Sequence, residues 1–303
     1  MSKIYKALEK AEKERLTEFK KDQHFVPGPK EIRIERWEIK PEPKRAKGIV
    51  TKQQLVSLFQ PQSLASEQFR KLRTHLLNLR IPESPKTIMV TSATDSEGKT
   101  LIAANLAAGI ATDLQAHALL VDCDLRRSSL AQWFGMQNGK GLSDYLVGDR
   151  KISDLLMETG VEKLSLLSGG SIQDNPTELI GSKKMEALVH ELKSRYNDRY
   201  VIFDSTPLLA TSEPEILSKL VDGIIIVVRA GVTPRETIKQ ALSSIEKGKI
   251  LGFVLNHVEF KSSGLSSRYF GSDGYYYKYG YGKRKAKTQK RWTKKFGSVQ
   301  KPN

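Results

Sequence analysis

With 303 residues the chain can hold one large α/β domain plus flanking segments, and its formal net charge of +16 would suit a nucleic-acid binder if it were spread evenly. It is segregated instead: residues 1–60 carry 15 Lys and Arg against 9 Asp and Glu, residues 61–260 carry 23 against 24, and residues 261–303 carry 12 against 1. A near-neutral middle between basic flanks suits attraction of the flanks to an acidic surface, whether lipid, protein or nucleic acid, without choosing among them.

The single cysteine, Cys123, excludes an intramolecular disulfide and a thiolate metal cluster, and its place between two aspartates reads as core filler. No run reaches the roughly 18 apolar residues of a membrane span. The start of the chain also lacks the apolar stretch of a secretory signal. The expected location is therefore the cytoplasm, with any membrane association peripheral or through a partner.

In chain order, residues 1–20 predict a charged helix with Ile4, Tyr5, Leu8, Ala11, Leu16 and Phe19 roughly on one face. A solvated helix and a docking helix both fit that pattern. Residues 21–61, with prolines at 27, 29, 41, 43 and 61, predict a linker. Ser63 opens an expected helix to about Leu79, with Leu64, Phe69, Leu72 and Leu76 as its apolar positions and Glu67, Arg70 and Arg73 along another face.

Beyond it, strand-like runs at Thr87–Thr91, Ala118–Asp122, Leu164–Leu167, Tyr200–Asp204, Gly223–Val228 and Leu251–Leu255 alternate with amphipathic helical stretches. Near-continuous aliphatic strands separated by helices predict an α/β fold, a parallel sheet with helices on both faces, over residues 62–260. Ligands then bind at the carboxyl ends of the strands, where the polar residues fall. After Glu259 the pattern stops. Residues 261–303, rich in Gly, Ser, Lys and Tyr, predict a disordered basic tail without a packed core.

The first strand runs into Ala93-Thr94-Asp95-Ser96-Glu97-Gly98-Lys99-Thr100 and then a helix, a phosphate loop with alanine in place of its usual first glycine. Such a loop aims backbone N–H groups and the helix dipole at one anion; Lys99 can span the β- and γ-phosphates, and Thr100 can ligate Mg²⁺. The second strand ends in Asp122-Cys123-Asp124-Leu125-Arg126. Alternation places Asp122 and Asp124 on one side, as a cation site would need, with Arg126 free to neutralise one of them or to reach a phosphate. A third apolar strand ends in Asp204, the Walker-B position for Mg²⁺.

The phosphate loop, Asp-Cys-Asp-Leu-Arg (122–126) and Phe-Asp-Ser-Thr-Pro (203–207) together resemble the bacterial tyrosine kinases of polysaccharide export, whose fold is similar to that of partitioning ATPases. Further matches are Gly141–Leu146, Asn175–Ile180 and Leu251–Asn256. The resemblance covers about Ser63 to Val258. It implies a P-loop NTPase fold, ATP and Mg²⁺ as cofactors, and protein-tyrosine autophosphorylation.

By the same resemblance, nucleotide contacts fall on Ala93, Asp95, Ser96, Glu97, Gly98, Lys99, Thr100 and Asn256, and the metal lies at Thr100, Asp124 and Asp204. Catalytic roles fall on Lys99, Asp122, Asp124 and Arg126, with Asp122 orienting or deprotonating the acceptor hydroxyl. Glu67, Arg70 and Arg73 match an oligomerisation motif, which implies a ring-like homo-oligomer. Tyr269, Tyr275, Tyr276, Tyr277, Tyr279 and Tyr281 resemble the family's phosphoacceptor cluster.

The implied partners are a membrane-embedded polysaccharide chain-length or export protein that supplies a cytoplasmic activator segment, and a cognate tyrosine phosphatase. No specific nucleic acid is expected. The chain departs from the family at Asp95 and Ser96 (often Pro-Gly), Ser128 (usually Pro) and Thr206 (usually Pro). Two alternatives remain: a partitioning or septum-site switch ATPase, which would carry lysine where Thr94 stands, and a nucleic-acid-binding regulator that uses the basic tail.

Overall fold

A computed structural model describes residues 54–79, 84–195 and 198–258. The expected docking helix, most of the expected linker and the tyrosine-rich tail lie outside the described residues. The helices are α1 (Val56–Phe59), α2 (Leu64–Leu77), α3 (Lys99–Ala111), α4 (Leu130–Trp133), α5 (Leu142–Val147), α6 (Pro176–Ile180), α7 (Lys183–Arg195), α8 (Glu213–Leu220) and α9 (Arg235–Leu242). The strands are β1 (Thr87–Ser92), β2 (His117–Asp122), β3 (Leu156–Glu158), β4 (Leu164–Leu167), β5 (Arg199–Asp204), β6 (Gly223–Arg229) and β7 (Ile250–Asn256).

They form one seven-stranded sheet in the order β3-β4-β2-β5-β1-β6-β7. β1, β2 and β5 occupy its centre, so all three polar-ended strands expected to build the site are neighbours. Their residues alternate between two cores, as a period of 2 requires. Met89, Val121 and Phe203 point to one face, where α5, α7, α8 and α9 pack. Ile88, Val90, Leu120 and Ile202 point to the other, under α1, α2, α3 and α4. In α3 every residue from Ile102 to Ala111 is buried, as in a helix enclosed on all sides.

The expected parallel sheet needs one correction: β3 runs antiparallel to β4 at the sheet edge. Three residues of Leu-Met-Glu show no periodicity that would announce a strand. A second difference lies at residues 54–61, expected as linker. Leu55 is wholly buried and α1 packs against α3, where Asn105 accepts from Ser57 N (3.1 Å) and donates to the Gln54 carbonyl (2.9 Å). The prolines that suggest a linker lie around this element, and a tertiary hydrogen bond is invisible to local pattern.

At the opposite end of the sheet from the site, Asp222 ties three segments together. Its Oδ2 accepts from Lys86 N and Thr87 N (3.0 Å each), and its Oδ1 pairs with Lys193 (2.6 Å). Burial would raise its pKa, but the Lys193 ammonium and these hydrogen bonds outweigh it and hold the carboxyl below its ordinary range. Its stabilising contribution is therefore complete above the unfolded-state pKa and is lost as pH falls through the lower folded-state value. Asp222→Asn should cost about 1–3 kcal/mol at neutral pH in urea unfolding, and that difference should shrink below about pH 4.

Candidate functional site

The phosphate loop is shaped by a carboxylate beneath it. Glu97 is 1% exposed, its Oε2 accepts from Ala93 N (3.0 Å), and its Oε1 accepts from Thr94 Oγ1 (3.2 Å) and from the Thr233 hydroxyl. Its side chain is turned under the loop, so of the expected nucleotide contacts Glu97 can offer only its backbone. Asp95 and Ser96 stand exposed at the rim, and Ser96 adopts a positive φ of 60°.

Gly98 caps α3 with φ 95°, and a Cβ there would come within 2.1 Å of Asn256 Nδ2. Only glycine fits this left-handed position beside a neighbouring side chain. The first N–H groups of α3 have no intrahelical acceptor and are available to an anion.

Asn256, expected near the nucleotide base, donates instead to the Glu97 carbonyl (2.8 Å), and its own Oδ1 accepts from His257 N (2.9 Å). It braces the loop from the end of β7.

β2 and β5 pair in register, with Asp122 opposite Asp204. Asp204 is 2% exposed, and its Oδ1 is buried with no hydrogen-bond partner among the described residues. Burial raises its pKa well above the ordinary carboxylate range, and the nearby Asp122 adds to this. The Thr100 hydroxyl and the Lys99 ammonium oppose it. Lys99, Thr100 and Asp204 are thus brought together, and the orphaned oxygen beside a phosphate-loop threonine fits a divalent cation. Among the described residues no group of three His, Cys, Asp or Glu could hold a metal alone.

Asp122 does something other than expected. Its Oδ1 accepts from Asp124 N (3.1 Å), and its Oδ2 accepts from Ser128 Oγ (2.9 Å), Ser129 N (3.0 Å) and Leu130 N (3.2 Å). Burial pushes its pKa up to about 6 despite these donors. Three donors crowd Oδ2 and one engages Oδ1, so this carboxylate organises the 123–130 loop, and at 1% exposure it is closed to an acceptor hydroxyl in this conformation. Asp124 does not share its environment: it is half-buried, and its Oδ1 accepts from Arg127 N (3.0 Å).

Of the two roles expected of Arg126, the structure does not show the first: rather than to Asp122 or Asp124, it donates through Nε (3.2 Å) and Nη2 (2.9 Å) to Glu213 Oε1, 87 residues away. Cys123 is buried, and burial followed by the surrounding aspartates pushes its thiol pKa up, which disfavours the thiolate.

Of the expected oligomerisation residues, Arg70 pairs with Glu67 (2.8 Å) and donates to the Pro61 carbonyl (2.8 Å). Arg73 donates to the Gly109 carbonyl (3.0 Å) and Thr112 Oγ1 (2.9 Å) at the end of α3. Arg73 is thus tied within its own chain.

Sequence reasoning gave no role to Ser128, Thr233 or Glu213. Ser128 Oγ links Asp122 to Gly169 N (3.1 Å), a bridge that the proline usual in the family would not make. Its departure from the family pattern is the one available signal. Glu213 and Thr233 carry none.

The comparisons with known proteins agree with this geometry. A family model described as an AAA domain matches residues 85–250. The chain is 33% identical over 215 residues to the tyrosine-protein kinase YwqD of Bacillus subtilis, across 70% of this chain and 90% of that protein. It is 30% identical over 217 residues to the putative tyrosine-protein kinase CapB of Staphylococcus aureus, across 70% and 93%. The fold is similar to that of the chimerical protein CapA2B2, with a TM-score of 0.64 and 32% identity over 68% of this chain and 91% of that one. The kinase domain of the Escherichia coli tyrosine kinase ETK also gives a TM-score of 0.64, with 30% identity over 69% and 82%.

Gly98→Ala should weaken nucleotide binding about tenfold or more, because a forced left-handed alanine alone costs about 1–2 kcal/mol. Calorimetric titration with ADP reads the loss; unchanged affinity would contradict the close approach of Asn256.

Proposed function

The chain belongs to the bacterial tyrosine-kinase family, and on that footing we propose that it transfers the γ-phosphoryl group of ATP to the tyrosine cluster of its own tail, presented by a neighbouring copy. The observation that carries this reading is the meeting of Lys99, Thr100 and the orphaned Asp204 Oδ1 at the mouth of the phosphate loop. The backbone of residues 96–100 binds the phosphates at the start of α3. The Lys99 ammonium neutralises charge that builds on the transferring group.

Thr100 and Asp204 would hold Mg²⁺, with Asp124 as the further carboxylate of the loop, and the ion would supply neutralisation of the phosphate charge. Asp122 shapes the loop that carries Asp124 and Arg126. The role of positioning the acceptor hydroxyl therefore passes from Asp122 to Asp124, whose carboxylate is the more open.

The acceptors are Tyr269, Tyr275, Tyr276, Tyr277, Tyr279 and Tyr281, which follow the end of β7 in sequence. Transfer between copies requires an assembly, for which Glu67 and Arg70 remain the exposed candidates on α2.

Among the described residues no helix is long and apolar enough to cross a membrane. The chain's place is the inner face of the membrane, in control of polysaccharide polymerisation and export, with a membrane partner that supplies an activating segment. A phosphatase would reset the tail. The switch-ATPase alternative is disfavoured by Thr94, which stands where that class carries lysine and whose hydroxyl is bonded to Glu97.

Full-length protein incubated with Mg-ATP, with and without the partner's cytoplasmic segment, should acquire phosphotyrosine between residues 269 and 281 by mass spectrometry. Lys99→Met should abolish it, and persistent labelling would sink the assignment. A Lys99→Met chain with an intact tail should be labelled by an active chain truncated after residue 261. If it is not, transfer between copies is wrong. Asp204→Asn should lower kcat by about a hundredfold or more through loss of the cation's carboxylate.

A further inference from the structure

Glu213 is a buried acid that no step above uses. It opens α8, its side chain is 3% exposed, and its Oε1 accepts from Thr177 Oγ1 (3.0 Å) as well as from two nitrogens of Arg126. Burial would raise its pKa. Hydrogen bonds from Thr211, its own backbone N–H, Arg126 and Thr177 prevail and hold the carboxyl below its ordinary range, so it is an anion at neutral pH.

Its partner is differently placed. The Arg126 side chain is 49% exposed, and it sits in the loop that follows β2, two residues beyond Asp124. Of five guanidinium donors, the two bonds to Glu213 leave three.

We propose that Glu213 is a positioning residue for phosphoryl transfer: it grips one edge of the Arg126 guanidinium so that the opposite edge is presented to the phosphate chain of the nucleotide. This rests on the kinase reading above.

Two physical reasons support it. A planar guanidinium held through Nε and one Nη has its remaining donors fixed in direction, the geometry that binds a phosphoryl group by two parallel hydrogen bonds. Arg126 also shares its turn with Asp124, and without another anion it would be drawn to that carboxylate and compete with a cation for it. Glu213 draws the positive charge away and leaves Asp124 open.

Stability is a weaker explanation for the pair. With the Arg126 side chain 49% exposed, solvent screening discounts what the pair contributes to folding. The acid, however, is buried at the start of α8, the helix that follows the Asp204 strand, and is braced by Thr177 of α6, in the Asn175–Ile180 motif that the nucleotide chemistry leaves without a role.

Glu213→Gln preserves shape and one acceptor oxygen but removes the charge. In full-length protein with Mg-ATP and a tyrosine peptide, it should lower kcat about tenfold or more, since misplacement of a charged group by about 1 Å can cost up to about a hundredfold. KM for the peptide should stay within about threefold of the wild type, and Glu213→Asp should recover part of the rate.

Thr177→Val, which keeps the charge pair, should cost only about twofold to threefold. The double variant Glu213→Gln/Arg126→Gln should be no slower than Arg126→Gln alone, because one residue acts through the other. Unchanged kcat with only a lowered melting temperature, or additive losses in the double variant, would overturn the proposal. A raised peptide KM at constant kcat would also overturn it, by assigning the free edge of Arg126 to the acceptor. Lys99→Met in the same assay separates the two claims: if it abolishes labelling while Glu213→Gln does not slow it, only the positioning role fails.

Discussion

Two carboxylates, Asp122 and Asp204, lie side by side in register on neighbouring central strands, both buried. Like charges so placed cannot both remain ionised in a low-dielectric interior without compensation, and both acids have raised pKa values. The surrounding architecture supplies that compensation asymmetrically. Asp122 receives four hydrogen bonds from its own loop, whereas Asp204 receives the Thr100 hydroxyl and the field of Lys99 but retains an orphaned oxygen. One aspartate becomes a structural anchor, and the other becomes a place where positive charge is wanted.

The same division recurs around the phosphate loop. Groups that read as ligands in one dimension serve as braces in three: Glu97 lies beneath the loop and Asn256 clamps its carbonyl, while Ser128 joins the aspartate loop to Gly169. The phosphate loop is thus held partly by its own Glu97 and partly by Asn256 at the end of β7. Asn256 is also the last residue of β7, so the strand that leads toward the tyrosine-rich segment is bonded to the phosphate loop itself.

Legibility followed the range of the interaction. Five of the six strands with aliphatic runs were visible because burial on both faces leaves an unbroken apolar signature, and β7 was visible from its run alone although Phe253 and Leu255 are exposed. β3 was not, because three residues at an antiparallel edge leave no period. α1 was hidden among prolines and depends on a buried Leu55 and on Asn105, about fifty residues on. The partner of Arg126 was beyond reach for the same reason: Asp124 is close in sequence, but Glu213 is the acid that the fold brings to it.

By itself the sequence determined that a nucleotide phosphate site would form. A strand, a Gly-Lys-Thr turn and a helix make an anion site from local backbone geometry alone. It also determined that two aspartate-ended strands would reach the same sheet edge, because parallel α/β packing brings the carboxyl ends of strands together. The tertiary structure decided which way each charged side chain faces. Asp122 and Arg126 turn to partners within the fold, Arg73 turns to the end of α3, and Asp204 keeps a buried oxygen without a donor, as does Glu213. Those choices depend on the competition between burial and available donors, and that competition is settled only when distant segments meet.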